Sequence, residues 1–292
     1  MTAEIRVGTC NWSDHSDFYP RGLPARDRLA HYARFFPLVE VDSSYYAIPT
    51  AERTRAWADA TPLEFRFNVK AYRSLTYHER EAGRAREPTP AEERAFAACL
   101  DPIRDAGKLR AVHYQFPSWF TSSPENTNRL ARLRDRHPQD LVVVEFRHRS
   151  WADPAGLPEL LGLLREAEIS LCVVDEPQLG SGSFPAVLEV TDPRLAVIRF
   201  HGRNRRTWYR AGPTSGDRFD YLYQEDELRG WLERVAEVAR QARELHLLFN
   251  NNRANYAVVN GLQMAELLGL GYPPPTPPAF TPALFGPPDQ LS

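Results

Sequence analysis

Eight short stretches of the sequence end on side chains able to move protons or hold an anion. In chain order they run into Asn11 and Trp12, Asp42 and Ser43, Asn68 and Lys70, His113 and Gln115, Glu145 with Arg147 and His148, Asp175, Arg199 with His201, and Asn250 to Asn252. Carboxylates and imidazoles are proton-transfer groups, Lys and Arg neutralise phosphate or carboxylate, and amides orient a bound molecule. On that chemistry Lys70, Glu145, His201 and Asp42 are the catalytic candidates. Trp12, Tyr45, Gln115, Arg147, Trp151, Asp175, Arg199, Tyr209, Asn250 and Asn251 are the substrate-binding candidates.

Lys70 stands out because the chain has almost no lysine. Of its 36 basic residues only Lys70 and Lys108 are lysines, leaving 34 arginines. Lysine is a compact cation that can serve as an acid, a base or an amine nucleophile, which arginine cannot. The 292 residues carry a net charge of -2, so there is no polycation field, and a histone-like binder is excluded. Three widely spaced cysteines, Cys10, Cys99 and Cys172, predict reduced thiols. The start lacks a signal pattern, and no apolar run is long enough to span a bilayer, so the expectation is a cytoplasmic protein without membrane contact.

The reactive residues need strands to carry them. Strands are expected at 4–10, 39–45, 64–70, 109–115, 141–147, 170–175, 195–201 and 245–250, with helices at 25–36, 51–60, 90–106, 125–137, 154–167, 225–245 and 255–268. Only the Gly/Ser/Pro-rich link at 178–194 lacks a helix. This alternation predicts an α/β fold, a single (β/α)8 TIM-barrel-like domain over 4–270, followed by a Pro-rich C-terminal tail over 271–292. The tail reads either as disorder or as a strap pinned by Phe280, Leu284 and Phe285. No Gly-x-Gly-x-x-Gly or phosphate-cradling Gly-rich loop occurs, so no cofactor is assigned.

Side-chain alternation sends Glu40, Asp42, Arg66, Lys70, Glu145, Arg147, Asp175, Arg199 and His201 inward. Acids and bases buried together must nearly balance, because an isolated buried charge costs several kcal/mol (about 3–5). Aromatics after the strands, among them Trp12, Phe18, Tyr19, Tyr45, Tyr46, Trp119, Phe120, Trp151, Trp208 and Tyr209, suggest a stacking rim. Arg203, Arg205, Arg206 and Arg210 beside Trp208 and Tyr209 suggest a phosphate-and-stacking patch.

The sequence resembles the YecE-like family, the domain of unknown function numbered seventy-two. Its segments are Val7-Gly8-Thr9 with Trp12, Phe18-Tyr19-Pro20, Val39 to Tyr46, Phe65 to Lys70, Gln115-Phe116-Pro117, Glu145 to Trp151, Val174-Asp175, Val197 to Gly202, and Phe249-Asn250-Asn251. The resemblance implies a TIM-barrel-like fold, and a fold-level analogy with barrels acting on abasic DNA suggests nucleic acid as a partner. Asn11 stands where the family has Gly, Asp42 where Asn is common, and Thr76-Tyr77-His78 sets His78 one residue out of the family's Thr-His register.

Three readings follow. The first is a barrel that binds or acts on a phosphate-bearing small molecule or nucleic acid, as a hydrolase or lyase if it is an enzyme. The second is a glycosidase using Glu40 or Asp42 with Glu145, and the third a non-catalytic nucleic-acid-binding module. No metal is assigned, since the neighbouring cations would compete with one for the carboxylates. Oligomeric state is not encoded legibly.

Overall fold

A computed structural model describes residues 3–209 and 218–274. Its strands are β1 (Glu4–Cys10), β2 (Leu38–Val41), β3 (Arg66–Lys70), β4 (Arg80–Glu81), β5 (Arg84–Ala85), β6 (Leu109–Gln115), β7 (Leu141–Glu145), β8 (Ile169–Asp175), β9 (Ala196–Phe200) and β10 (Glu244–Phe249). Eight of them close a parallel barrel in the order β1-β10-β9-β8-β7-β6-β3-β2, and β4 with β5 form a small antiparallel hairpin beside it. The helices are α1 (Arg28–Tyr32), α2 (Ala51–Asp59), α3 (Pro90–Asp105), α4 (Pro124–Ala131), α5 (Leu133–Arg136), α6 (Leu157–Glu166), α7 (Glu225–Arg229), α8 (Leu232–Ala239) and α9 (Tyr256–Leu267). The expected TIM-barrel-like architecture is therefore present.

Local sequence explains the element ends. Thr50, Thr89 and Ser123 each accept a backbone N–H at the start of α2, α3 and α4, and Thr89 with Glu92 completes a capping box. The second strand stops sooner than expected because Ser43–Tyr45 turns as a 3-10 helix. There the Ser44 hydroxyl donates to the carbonyls of Val41 (2.8 Å) and Lys70 (2.6 Å), tying the β2 and β3 ends together. The long helix expected over 225–245 is two helices, α7 and α8, broken at Gly230, and α8 ends at Ala239 because the chain must turn back to begin β10 at Glu244. The link after β8 has only a 3-10 turn, Gly180–Gly182.

Two backbone positions are tightly specified. A side chain at Gly8 would run into the Leu38 carbonyl, where β1 and β2 pair. Asn11, directly after β1, has φ 68°. Asparagine tolerates this left-handed region, so it can stand where glycine would serve.

The apolar core lies between the barrel and its helices, with Val7, Val39, Val112, Val142, Val197 and Leu247 fully buried. At the floor, the Val7 N–H donates to the Tyr272 hydroxyl at 2.9 Å, fixing the beginning of the expected tail. Phe280, Leu284 and Phe285 lie outside the described residues. All three cysteines are free and buried. Among the described residues no helix is long and apolar enough to cross a membrane.

Candidate functional site

The parallel strands deliver their last side chains to one end of the barrel, where the deepest polar layer centres on Arg199 of β9. Its guanidinium donates to Glu40 and Glu145 at 2.6 Å each, to Gln115 at 3.2 Å and to the Cys10 sulfur at 3.2 Å. His113 of β6 completes the layer, its Nδ1 3.0 Å from Glu40 and its Nε2 3.2 Å from Glu145. Arg199, His113 and both glutamates are fully buried.

Burial alone would neutralise these groups, and their mutual attraction reverses it. Desolvation opposes the charge on Glu40, yet Arg199 and His113 hold it well below the usual carboxylate range. Glu145 is likewise depressed, by Arg147, Arg199 and His201 against its own desolvation. The His113 imidazole is raised despite burial because Glu40 and Glu145 flank it. Two carboxylates thus share Arg199 and His113, and Glu145 also reaches up to Arg147.

Above it the balance changes. Lys70 lies 3.6 Å from Asp42 and stands over the Tyr45 ring, 5.1 Å from its centroid. Arg147 spans Glu145 at 2.6 Å and Glu176 at 2.5 Å, with its guanidinium 5.4 Å from the centre of the Trp208 ring. Arg218 approaches the same indole, 5.9 Å from its centre, and donates to the Trp208 carbonyl at 2.6 Å. The acids of this layer hold their charge weakly. Burial pushes Asp42 up, with Glu40 adding to the effect against Lys70 and Arg199. Burial pushes Glu176 up to about 7 even against Arg147.

The imidazoles here are neutral. Burial, then Arg147, holds His201 well below its ordinary value. Its Nδ1 lies 2.9 Å from the Asn250 amide nitrogen and its Nε2 3.2 Å from Glu145. Burial, Lys70 and Arg147 together lower His78 to about 3. Among the described residues, Arg147 Nε and Asn250 Oδ1 are buried without a hydrogen-bond partner.

The family described as "Protein of unknown function DUF72" matches residues 6–282. The chain belongs to the DUF72 family. It is 36% identical to the UPF0759 protein YunF of Bacillus subtilis (strain 168) over 276 residues, 92% of this chain and 96% of that protein. A DUF72 family protein of Enterococcus faecalis V583 superimposes with a TM-score of 0.83 at 32% identity, covering 94% of this chain and 98% of that one. One from Thermotoga maritima MSB8 gives 0.79 at 32% identity, covering 91% and 99%.

Within this DUF72 barrel, Lys70, Asp42, Glu145, His201, Gln115, Arg147, Arg199, Asn250 and Tyr45 gather at the mouth, and several other sequence candidates do not. Trp12 is buried edge-on against Trp57, with ring centres 5.2 Å apart, as packing outside the barrel. Trp151 stacks on Phe146 at 4.7 Å and donates its indole N–H to the Phe120 carbonyl, so it is no sugar or base platform. Most of the expected aromatic rim is buried in this way, Phe18, Tyr19 and Phe120 included.

Asp175 faces outward from β8, where Arg203 donates to it at 2.9 Å, and Glu176 is the residue aimed at the mouth. Asn251 ties loops together through the Tyr221 carbonyl and Asn260. Arg66 sits at the entry end of β3, donating to the carbonyls of Leu63 and Phe65, and takes no part in the lumen balance. Tyr209 is exposed and donates to the Leu179 carbonyl. Of the expected arginine patch, Arg203 is paired, Arg205 and Arg206 are exposed, and Arg210 lies outside the described residues.

Glu176 and Arg218 were not singled out by sequence reasoning. Continuing the alternation through Cys172 and Val174 would have reached Glu176, but a strand buried on both faces gives no contrast to fix its phase. Arg218 lies far along the loop after β9 and carries no pattern.

Two donor groups have the composition of a metal site, His113, Glu145 and Cys172, and Cys10, Glu40 and Asp42, each with atoms within 4.8 Å of one another. The Arg199 guanidinium already touches members of both. A cation placed at either would compete with it for the same oxygens, so these residues do not fit a metal.

Proposed function

We propose that the mouth of this barrel binds a phosphate-bearing ligand, held by Lys70, Arg147 and Arg218. The observation that carries the reading is the separation of charge by depth. The two inner glutamates are held by Arg199 and His113, with Glu145 also paired to Arg147, whereas the mouth above presents Lys70, Arg147 and Arg218 beside two carboxyls, Asp42 and Glu176, whose ionisation is disfavoured. An anion there completes the balance, and a dianionic phosphate matches the surplus. The unpartnered Arg147 Nε, a buried donor, supports the same site, since buried polar atoms ordinarily have partners.

One observation favours turnover over simple binding. A neutral His201 and a Glu176 that ionises near neutral pH both contact Arg147, so proton-transfer groups lie beside the cation expected to hold the ligand. The glycosidase reading is weaker, because Glu145, common to both carboxylate pairs, is fully buried beneath Arg147 and Arg199 contacts and out of reach of a sugar.

Calorimetric titration of the full chain with inorganic phosphate and ribose 5-phosphate tests the proposal. Lys70→Ala and Arg218→Ala should each weaken binding by about tenfold or more, the value of a charge-assisted hydrogen bond, and added salt should weaken it further. Absence of saturable binding, or binding indifferent to both variants, would overturn it. If the ligand is also turned over, His201→Ala should abolish product formation while retaining binding.

A further inference from the structure

We propose that the cleft beside the cationic mouth is a subsite for a planar aromatic ring, so that the phosphate-bearing ligand is a nucleotide with its base against Tyr45, His78 and Trp119. This rests on the phosphate reading above and extends it to the rest of the ligand. The cleft, about 630 Å³, is lined by Tyr45, Arg73, His78, Glu79, Arg80, Glu81 and Arg86, and Trp119 borders it through its contacts with His78 and Arg80. That size suits a nucleotide-sized molecule. It is continuous with the phosphate site through Tyr45, whose ring faces Lys70, so a group held there would be joined to one held by the cations.

Its two lining rings, Tyr45 and His78, are set edge to face, and Trp119 adjoins His78. Tyr45 and His78 have centres 4.9 Å apart at 83°, and His78 and Trp119 5.9 Å apart at 75°. His78 accepts or donates at Nδ1 with the Thr76 hydroxyl, 2.8 Å away, and its depressed basicity leaves a neutral imidazole that does not repel a base. Arg80 lies over the Trp119 indole, 5.8 Å from its centre, and extends the planar surface.

Exposure points the same way. Among the described residues the large apolar side chains left most open to solvent are Tyr46, Leu63, Trp119 and Tyr209. The three aromatics all sit on loops that follow barrel strands, after β2, β6 and β9, on the face that carries the cations. Packing has placed Trp12, Phe120 and Trp151 in the interior, so the open indole of Trp119 is not required by the core. Any base has a face that can stack on such rings, whereas a bare sugar phosphate would leave the cleft empty.

The test compares inorganic phosphate, ribose 5-phosphate and adenosine 5′-monophosphate by calorimetric titration of the full chain, with Trp119→Ala and Trp119→Phe. The nucleotide should bind about tenfold or more tightly than ribose 5-phosphate, the effect of one base stacked on an aromatic side chain. Trp119→Ala should remove that advantage without changing inorganic phosphate binding, and Trp119→Phe should restore most of it. Equal affinity for nucleotide and ribose 5-phosphate, or a nucleotide advantage that survives Trp119→Ala, would overturn the base subsite while leaving the phosphate site standing. Failure of all three ligands to bind would remove the phosphate reading and this extension with it.

Discussion

Replacing Arg199 by methionine probes the inner layer directly. Arg199 is the shared partner of Glu40 and Glu145, both 2.6 Å away and fully buried, and without it Glu40 is left with His113 while Glu145 keeps Arg147. Removing one side of a buried ion pair costs about 3–5 kcal/mol, because an uncompensated charge remains. The protein has one escape: one of the two carboxyls can take up a proton.

That escape makes the loss depend on pH. In the wild type both glutamates are depressed, so their stabilisation is fully present above the ordinary carboxylate value and is lost only in acid. In Arg199→Met one carboxyl is raised above its unfolded value of about 4.3, the native state binds more protons than the unfolded state, and stability falls by up to ~1.4 kcal/mol per pH unit as pH rises through that window. Urea unfolding followed by circular dichroism should therefore show a destabilisation of about 3–5 kcal/mol at pH 7.5 that is smaller by ~1 kcal/mol or more at pH 5. A loss below ~1 kcal/mol, or an equal loss at both pH values, would refute the picture of Arg199 as the cation that holds both buried glutamates ionised.

Two further outcomes follow from single contacts. Gly8→Ala should destabilise by more than ~3 kcal/mol or prevent folding, since the added methyl meets the Leu38 backbone carbonyl rather than a movable side chain, and thermal melts would reveal it. Glu176 ionises as pH rises through about 7 and then neutralises Arg147, so binding of sulfate, whose charge is fixed, should be weaker at pH 8 than at pH 6. Calorimetry on Glu176→Gln should show that pH dependence flattened, and an unchanged profile would remove Glu176 from the site's electrostatics.

Legibility of the site followed the regularity of the strands. At the ends of β7 and β9 polar and apolar residues alternate, Val144-Glu145-Phe146-Arg147 and Ile198-Arg199-Phe200-His201, so Glu145, Arg147, Arg199 and His201 could be assigned inward, and all four converge. β8 ends on Cys172-Val173-Val174 followed by two adjacent acids, which sets no phase, and the choice of Asp175 over Glu176 was one residue out. Loop aromatics misled for a different reason. The loops of this end are themselves packed, so Trp12 buries its ring against Trp57 and Trp151 against Phe146, while Trp119 in an equivalent loop stays open and Tyr45 half-buried. Nothing local in the sequence separates those two fates, because they depend on which helix lies beneath.

The lysine bias has the most to gain from the structure. Lys70 drew attention as a rare cation at a strand end, yet Lys108 is also buried, and its ammonium donates to the carbonyls of Ala58 (2.5 Å) and Thr61 (2.7 Å) and to the Thr61 hydroxyl (3.2 Å). Three acceptors converging at the end of α2 suit a compact ammonium and not a planar fork. Rarity alone therefore does not mark Lys70 as reactive; both lysines occupy places where a cation must be enclosed. What separates them is what they touch. Lys108 is bonded to two backbone carbonyls and a hydroxyl, whereas Lys70 has a 3.6 Å ion pair with Asp42 and the face of Tyr45, and opens toward the mouth. Lys108→Arg should cost roughly 1–3 kcal/mol by leaving buried carbonyls unmatched, and Lys70→Arg should change stability by less than about 0.5 kcal/mol while altering phosphate affinity. Denaturant unfolding and calorimetry on the same two variants decide it. Equal destabilisation by both would make Lys70 a second structural lysine and leave Arg147 and Arg218 as the cations that matter.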